Sequence, residues 1–193
     1  MRATITGTVD PGRSRPAAAG LGWLSGLRWP ELLGLAGVLL LAAGLDFFDL
    51  SHAGFGNAYY AAAVRSMAAN WHNFFFSSYD PGGFVTIDKP PVGFWFQVLS
   101  VKAFGFAGVS LMLPEALAGV LAVAVVFTLV RRRFGSVAGL LAALALAITP
   151  ISVATNRNNT IDSLLALTLL LAAWAATLAV ERGRLRWRES HAS

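Results

Sequence analysis

Long unbroken apolar blocks constrain this chain more than any other feature. A helix needs about 20 mostly apolar residues to cross a bilayer, and Glu31–Leu50, Leu113–Val130, Phe134–Ile151 and Ile161–Val180 reach or approach that length. The elements of a soluble domain keep a polar face for water; these blocks have none. The fold class they imply is all-α, a polytopic transmembrane helix bundle of about four spans.

Composition agrees with that reading. Of 193 residues, 56% are hydrophobic and 13% charged, against about a quarter charged in a soluble domain. The net charge of +5 sits in short clusters flanking the apolar blocks, as topology signals at membrane edges do, so no nucleic-acid partner is expected. The absence of cysteine excludes disulfides and thiolate metal sites. Residues 1–30 are rich in Pro, Gly, Ala and Arg and lack an apolar run, which predicts a disordered cytoplasmic tail. A cleaved signal peptide does not fit, because the apolar run from Leu32 begins too late.

A fifth apolar stretch, Val92–Phe106, decides the topology. It is short, aromatic-rich and carries Gln97 and Lys102. If it does not span, the tail arginines (Arg2, Arg13, Arg15, Arg28), Arg131–Arg133 and the arginines of Arg182–Arg188 all lie on one side of the membrane. The positive-inside bias therefore favours a helix lying along the membrane or re-entering it. Ser51–Met112 becomes a large external loop with juxtamembrane helices, Arg131–Phe134 a cytoplasmic turn, Ser152–Thr160 an external link, and the chain from Val180 cytoplasmic. The protein is expected in the plasma membrane with its N-terminus in the cytoplasm. Residues 31–183 form the transmembrane module, and the hydrophilic 184–193 reads as the start of a cytoplasmic loop at which a longer protein is cut short.

Every polar cluster able to do chemistry then faces outward. In Thr86-Ile87-Asp88-Lys89-Pro90-Pro91 the prolines can open a helix. Asp88 and Lys89 would stand just before its N-terminus, where exposed amides favour anions. Lys89 there is either a phosphate ligand or a residue meeting lipid headgroups. In Thr155–Asp162, Asp162 either caps the last span or shapes a site, while Arg157 among Asn156, Asn158 and Asn159 suggests a phosphate-friendly patch. Asp46 and Asp49 close the first span one turn apart on one face, as interfacial carboxylates or as a general base. Trp71, Phe74, Phe75, Phe76 and Tyr79 read as an interfacial aromatic belt. No GxGxxG, P-loop or HExxH occurs and His52 and His72 stand alone, so no cofactor and no metal are expected.

With these motifs in place, the chain resembles membrane glycosyltransferases that use polyprenyl-phosphate sugars: the GT-C superfamily, and within it glycosyltransferase family 39, with the protein mannosyltransferases and the aminoarabinose lipid A transferases. The resemblance runs from about Glu31 to Gly183. It rests on Asn57-Ala-Tyr-Tyr-Ala-Ala-Ala-Val-Arg-Ser-Met67, Phe74-Phe-Phe76, Asp88-Lys-Pro-Pro-Val-Gly-Phe-Trp95, Leu113-Pro-Glu-Ala-Leu117 and Asn156–Leu164. It implies glycosyl transfer from a lipid-linked phosphate sugar to an external acceptor, whether protein, lipid or polysaccharide. Lys89 would contact the donor phosphate with help from Arg157, and Asn57, Tyr60, Asn158 and Asp162 would shape the pocket. Family members usually open their first external loop with an acidic pair that supplies the catalytic base. Here that pair is Gly56-Asn57, which leaves Asp88, Asp49 and Asp46 as candidate bases, Asp88 adjoining Lys89. Members also carry many more spans, so this chain is read as a truncated or split member holding the N-terminal module. The rival reading is a non-catalytic membrane fragment that binds lipid phosphate.

Overall fold

A computed structural model describes residues 27–190. Helix boundaries follow local chemistry. α1 (Trp29–Phe47) opens on Pro30, where a missing amide costs nothing. The chain leaves α1 through Asp49, which adopts φ +53, into a 3₁₀ turn at Leu50–Ala53. Asn57 caps α2 (Ala58–Ala69) by accepting from the amides of Tyr59 and Tyr60 at 3.0 and 3.4 Å. Asn70 caps α3 (Trp71–Phe76) in the same way, accepting from Asn73 at 2.9 Å. In the loop that follows, Asp80 accepts from the amides of Val85 at 2.6 Å and Phe84 at 3.2 Å, which hold its carboxyl below the usual carboxylate range. The Pro90-Pro91 step then starts α4 (Pro91–Phe104).

α5 (Gly108–Phe134) is 27 residues long, about 40 Å at helical rise. It ends at Gly135, φ +86, which turns the chain into α6 (Ser136–Ile148). Thr149-Pro150 breaks the helix and α7 (Pro150–Asn156) departs at 62°. α8 covers Asp162–Ser190. Among the described residues there is no strand beyond an isolated Ser78–Thr86 bridge.

α5 is the hub, packed against α1, α4, α6, α7 and α8. One apolar cluster joins α2, α4, α5 and the link between α7 and α8 through Val64, Met67, Phe94, Val98, Leu111 and Ile161. A second joins α1, α5 and α6 through Leu35, Ala42, Val123, Phe127, Ala143 and Ala147. Lipid offers no hydrophobic drive for helix association, so small residues that allow close approach matter more here than in water. Gly119 on α5 is such a place: a Cβ there would lie 2.1 Å from the Asn156 side-chain nitrogen.

The protein is thus an all-α bundle. Among the described residues, three helical segments are long and apolar enough to cross a membrane: Trp29–Ala53, Gly108–Phe134 and Asp162–Gly183; the bent α6–α7 pair makes a fourth if it is one broken span. The third span, expected over Phe134–Ile151, is covered by α6 as far as Ile148 and bends into α7 at Pro150. The Ser152–Thr160 link is corrected, since α7 occupies its first half. Val92–Phe106 corresponds to α4, whose 14 residues reach about 21 Å, short of the roughly 30 Å hydrocarbon core. The tail predicted over 1–30 lies outside the described residues except for 27–30, where α1 already begins. The helix predicted to stop near Val180 continues to Ser190.

The two ends of the bundle differ in chemistry. At one end the Arg131 guanidinium donates to Glu31 at the start of α1 (2.8 and 3.1 Å), and the Ser136 hydroxyl donates to the same carboxylate at 2.6 Å. Glu181 on α8 meets Arg133 at 3.3 Å and Arg132 at 3.9 Å. The start of α1, the α5–α6 turn and the Glu181 turn of α8 therefore gather at one end. The end of α1, the α7–α8 link and the start of α8 gather at the other.

Candidate functional site

At that second end the α7–α8 link clasps the start of α2. The Asn57 amide donates to the side-chain oxygens of Asn159 (2.7 Å) and Asn158 (3.3 Å), and the Asn159 side chain donates back to the Asn57 carbonyl at 3.0 Å. The clasp fits because Gly56 has no side chain: a Cβ there would stand 2.8 Å from each of the two asparagine oxygens.

Next to the clasp, Lys89 extends from just before α4 to the first residue of α8, its Nζ 3.2 Å from Asp162 Oδ1. The same ammonium lies 5.3 Å over the Tyr60 ring, a cation–π distance. Burial disfavours the Lys89 charge, but the Asp162 carboxylate and Tyr60 outweigh that and raise its pKa, so it is a firm cation. Tyr60 packs edge-on to Tyr59, and Tyr59 stacks on Tyr79 at 4.6 Å. Partial desolvation and the charge of neighbouring Asp88 push the Tyr59 phenol up. Asp88 itself is exposed.

Lys89 and Asp162 stand at the rim of a cavity of about 420 Å³ between α4 and α8. Its walls are almost wholly apolar, with Val92, Phe96, Leu164 and Leu165 among them. The α4 N-terminus, with free amides beyond Pro91, adds positive potential at the same rim. A cation at the mouth of an apolar groove beside a membrane suits an amphiphile with an anionic head.

Arg157 is held elsewhere. Its guanidinium donates to the Leu45 carbonyl at 3.4 Å, at the C-terminal end of α1, where cations are favoured. Beside it Asn156 donates to the buried carboxylate of Asp46 at 3.0 Å. Arg157 and Asp46 therefore form one group, Lys89 and Asp162 another, and the Asn57–Asn158–Asn159 clasp stands as a third. Arg157 is not among the residues lining the Lys89 cavity. Asp46 and Asp49 do not share a helix face as expected: Asp46 is buried on α1, whereas Asp49 lies past its end, exposed and bonded to His52.

The predicted aromatic belt divides. Trp71, Phe75 and Phe76 are exposed, while Phe74 and Tyr79 pack on the core, and Trp95 donates to the Phe74 carbonyl at 2.8 Å. Two polar residues escaped the site assignment. Glu115 and Gln97 are fully buried and bonded to each other at 3.2 Å. The signal was available: a lone carboxylate in an apolar 27-residue helix is expensive enough to demand a reason.

Residues 88–189 match the family model described as dolichyl-phosphate-mannose-protein mannosyltransferase, a stretch that opens on Asp88-Lys89-Pro90-Pro91. Two Bacillus subtilis (strain 168) proteins whose names mark them as candidate mannosyltransferases are similar to the chain over 150 residues, 78% of its length. YycA is 46% identical and YkcB 43%. The chain spans about a fifth of these relatives, 22% of YycA and 21% of YkcB. No solved structure matches the chain significantly. With the family match covering more than half of the chain, and with a multi-helix membrane bundle behind it, the chain belongs to the dolichyl-phosphate-mannose-protein mannosyltransferase family.

Proposed function

We propose that this chain forms the donor-binding part of a glycosyltransferase that takes its sugar from a polyprenyl-phosphate carrier on the external face of the plasma membrane. The observation that carries the reading is the rim of the α4–α8 groove: Lys89 over Tyr60, paired with Asp162, above apolar walls. The phosphate sits against Lys89 and the open amides of α4, and the polyprenyl tail runs along the groove into lipid. The α7–α8 link is held beside the site by the Asn57–Asn158–Asn159 clasp, while Arg157, bonded at the end of α1, takes no part in holding the phosphate. Asn57 supports that link through the clasp and contributes no chemistry of its own.

In the transfer, an acceptor hydroxyl oxygen bonds to the anomeric carbon. The bond from that carbon to the phosphate oxygen breaks, and its electron pair leaves on polyprenyl phosphate. The hydroxyl proton passes to a carboxylate. Asp88 is our candidate base, because it is exposed, adjoins Lys89 and neighbours Tyr59. Asp46 is buried under Asn156 and Asp49 is engaged by His52, so both rank behind it. Lys89 stabilises the phosphate as negative charge develops on it. The positive-inside bias favours a cytoplasmic position for the basic end of the bundle, and this supports an external site at the opposite end.

The test is binding of polyprenyl phosphate to the chain in lipid nanodiscs. Lys89→Ala should weaken binding about 10-fold or more, in line with losing a charge-assisted contact of about 1.5–3 kcal/mol, with helical content unchanged. Equal affinity of Lys89→Ala and the unaltered chain would overturn the assignment.

A further inference from the structure

The buried Glu115–Gln97 pair takes no part in the chemistry above, yet it is bonded to the elements that carry the two residues of the groove rim. Gln97 on α4 donates from Nε2 to Glu115 Oε1 at 3.2 Å and to the Asn159 carbonyl at 3.0 Å. Glu115 on α5 accepts the Leu164 amide, in the first turn of α8, on its other oxygen at 3.3 Å. Both side chains are 0% exposed. One carboxylate and one amide thus tie three separate elements to the hub helix: α4, the α7–α8 link and the start of α8. Lys89 stands one residue before Pro90, the N-cap of α4, and Asp162 is the first residue of α8.

We propose that Glu115, with Gln97, is a positioning residue that fixes the starts of α4 and α8 against each other and so sets the Lys89–Asp162 pair at the mouth of the groove. The physical case is one of cost and geometry. A buried carboxylate within an apolar span is expensive, and plain packing would be served as well by an apolar side chain. What an apolar residue cannot do is accept from Leu164 and Gln97 together; the Glu115 carboxylate does so with one oxygen for each. Each bond also constrains direction, whereas apolar packing alone lets helices slide. The lever is short: Gln97 lies within two turns of the α4 start that Lys89 precedes, and Leu164 two residues from Asp162. Loss of the carboxylate would leave Gln97 Nε2 one partner short and the Leu164 amide without its acceptor, and α4 and α8 would then be free to shift by the small distance that separates an ion pair from two solvated charges.

The functional meaning of this inference rests on the donor-site reading, but the geometry can be tested apart from it. The sequence has two lysines, Lys89 and Lys102; Lys102 is exposed at the far end of α4 and serves as an internal reference. The full chain in nanodiscs is treated with an amine-acylating reagent, and the ratio of modification at Lys89 to that at Lys102 is read by peptide mass spectrometry. Pairing with Asp162 should slow Lys89 in the unaltered chain. Glu115→Ala should raise the ratio about fivefold or more. Gln97→Ala should move it in the same direction, and it carries the test if Glu115→Ala does not fold. Phe127→Ala, which opens the apolar cluster near the basic end of α5, should lower the melting temperature without moving the ratio. The proposal is overturned if Glu115→Ala and Gln97→Ala leave the ratio within twofold of the unaltered chain, or if Phe127→Ala shifts it as much as they do. Adding polyprenyl phosphate separates the two readings: protection of Lys89 in the unaltered chain supports the donor site, and its absence overturns that site alone, leaving the variant ratios to decide the positioning role.

Discussion

Gly56 stands where the family resemblance led to the expectation of a carboxylate, and the structure gives a reason for its absence. The backbone there has φ +65, and the space a side chain would fill holds the oxygens of Asn158 and Asn159 and the Met112 methyl. A carboxylate would face two amide oxygens at contact distance. An asparagine clasp occupies that place instead, and under the donor-site proposal the base is sought on another element. Gly54 provides the comparison, since it has φ +64 but nothing within 4 Å of an added Cβ. Replacing either by alanine strains the left-handed backbone at a cost of about 1–3 kcal/mol, but only Gly56→Ala also disrupts the clasp. Thermal unfolding in detergent should rank Gly56→Ala clearly below Gly54→Ala. Equal loss in the two variants would show that the clasp adds no stability.

At the scale of elements, what the sequence made legible depended on how local the signal was. α1, α5 and α8 could be read because some 20 apolar residues in a row specify a span without help from elsewhere. The break between α6 and α7 was missed because the apolar pattern runs on through Thr149-Pro150, although proline inside a helical pattern is itself a stop signal. The Lys89–Asp162 pair joins residues 73 positions apart, and no periodicity reports on such a contact. Motif resemblance brought both residues into one predicted site; it also added Arg157, which the fold gives to the end of α1. The α7 break has a structural use: it brings Asn156 across α5 at Gly119, where it can reach Asp46. Gly119→Ala would push a methyl to within 2.1 Å of the Asn156 nitrogen, and overpacking of this kind costs about 1–3 kcal/mol. Gly37→Ala on α1 meets nothing within 4 Å and should be neutral or stabilising by up to about 1 kcal/mol through helix propensity. Melting temperatures of the two variants, measured in one detergent, should move in opposite directions or differ by several degrees. If they coincide, α7 does not press on α5 at this point.

For the whole molecule, the division of chemistry between the two ends makes a claim about direction that labelling can settle. Glu31, Arg131, Ser136, Glu181 and Arg133 are joined by hydrogen bonds and ion pairs at one end. The Asn57 clasp, Lys89 and Asp162 occupy the other. The more open Glu181 pairs contribute little stability, and their arginines bear on orientation: lysine and arginine retained on the cytoplasmic side set the direction of insertion. The chain has no cysteine, so single introduced thiols report without background. Phe134 at the α5–α6 turn is 75% exposed and Phe84 in the loop before α4 is 91% exposed. Gly183 has nothing within 4 Å of an added Cβ. With a membrane-impermeant thiol reagent on intact cells, Phe84→Cys should label, and Phe134→Cys and Gly183→Cys should label only after the membrane is opened. Labelling of Phe84→Cys and Phe134→Cys from the same side would mean that α5 does not cross, and the separation of a basic end from a chemical end would fall with it. Labelling of all three in the reverse sense would keep the bundle but turn the groove toward the cytoplasm, where the donor would have to be presented from the inner leaflet.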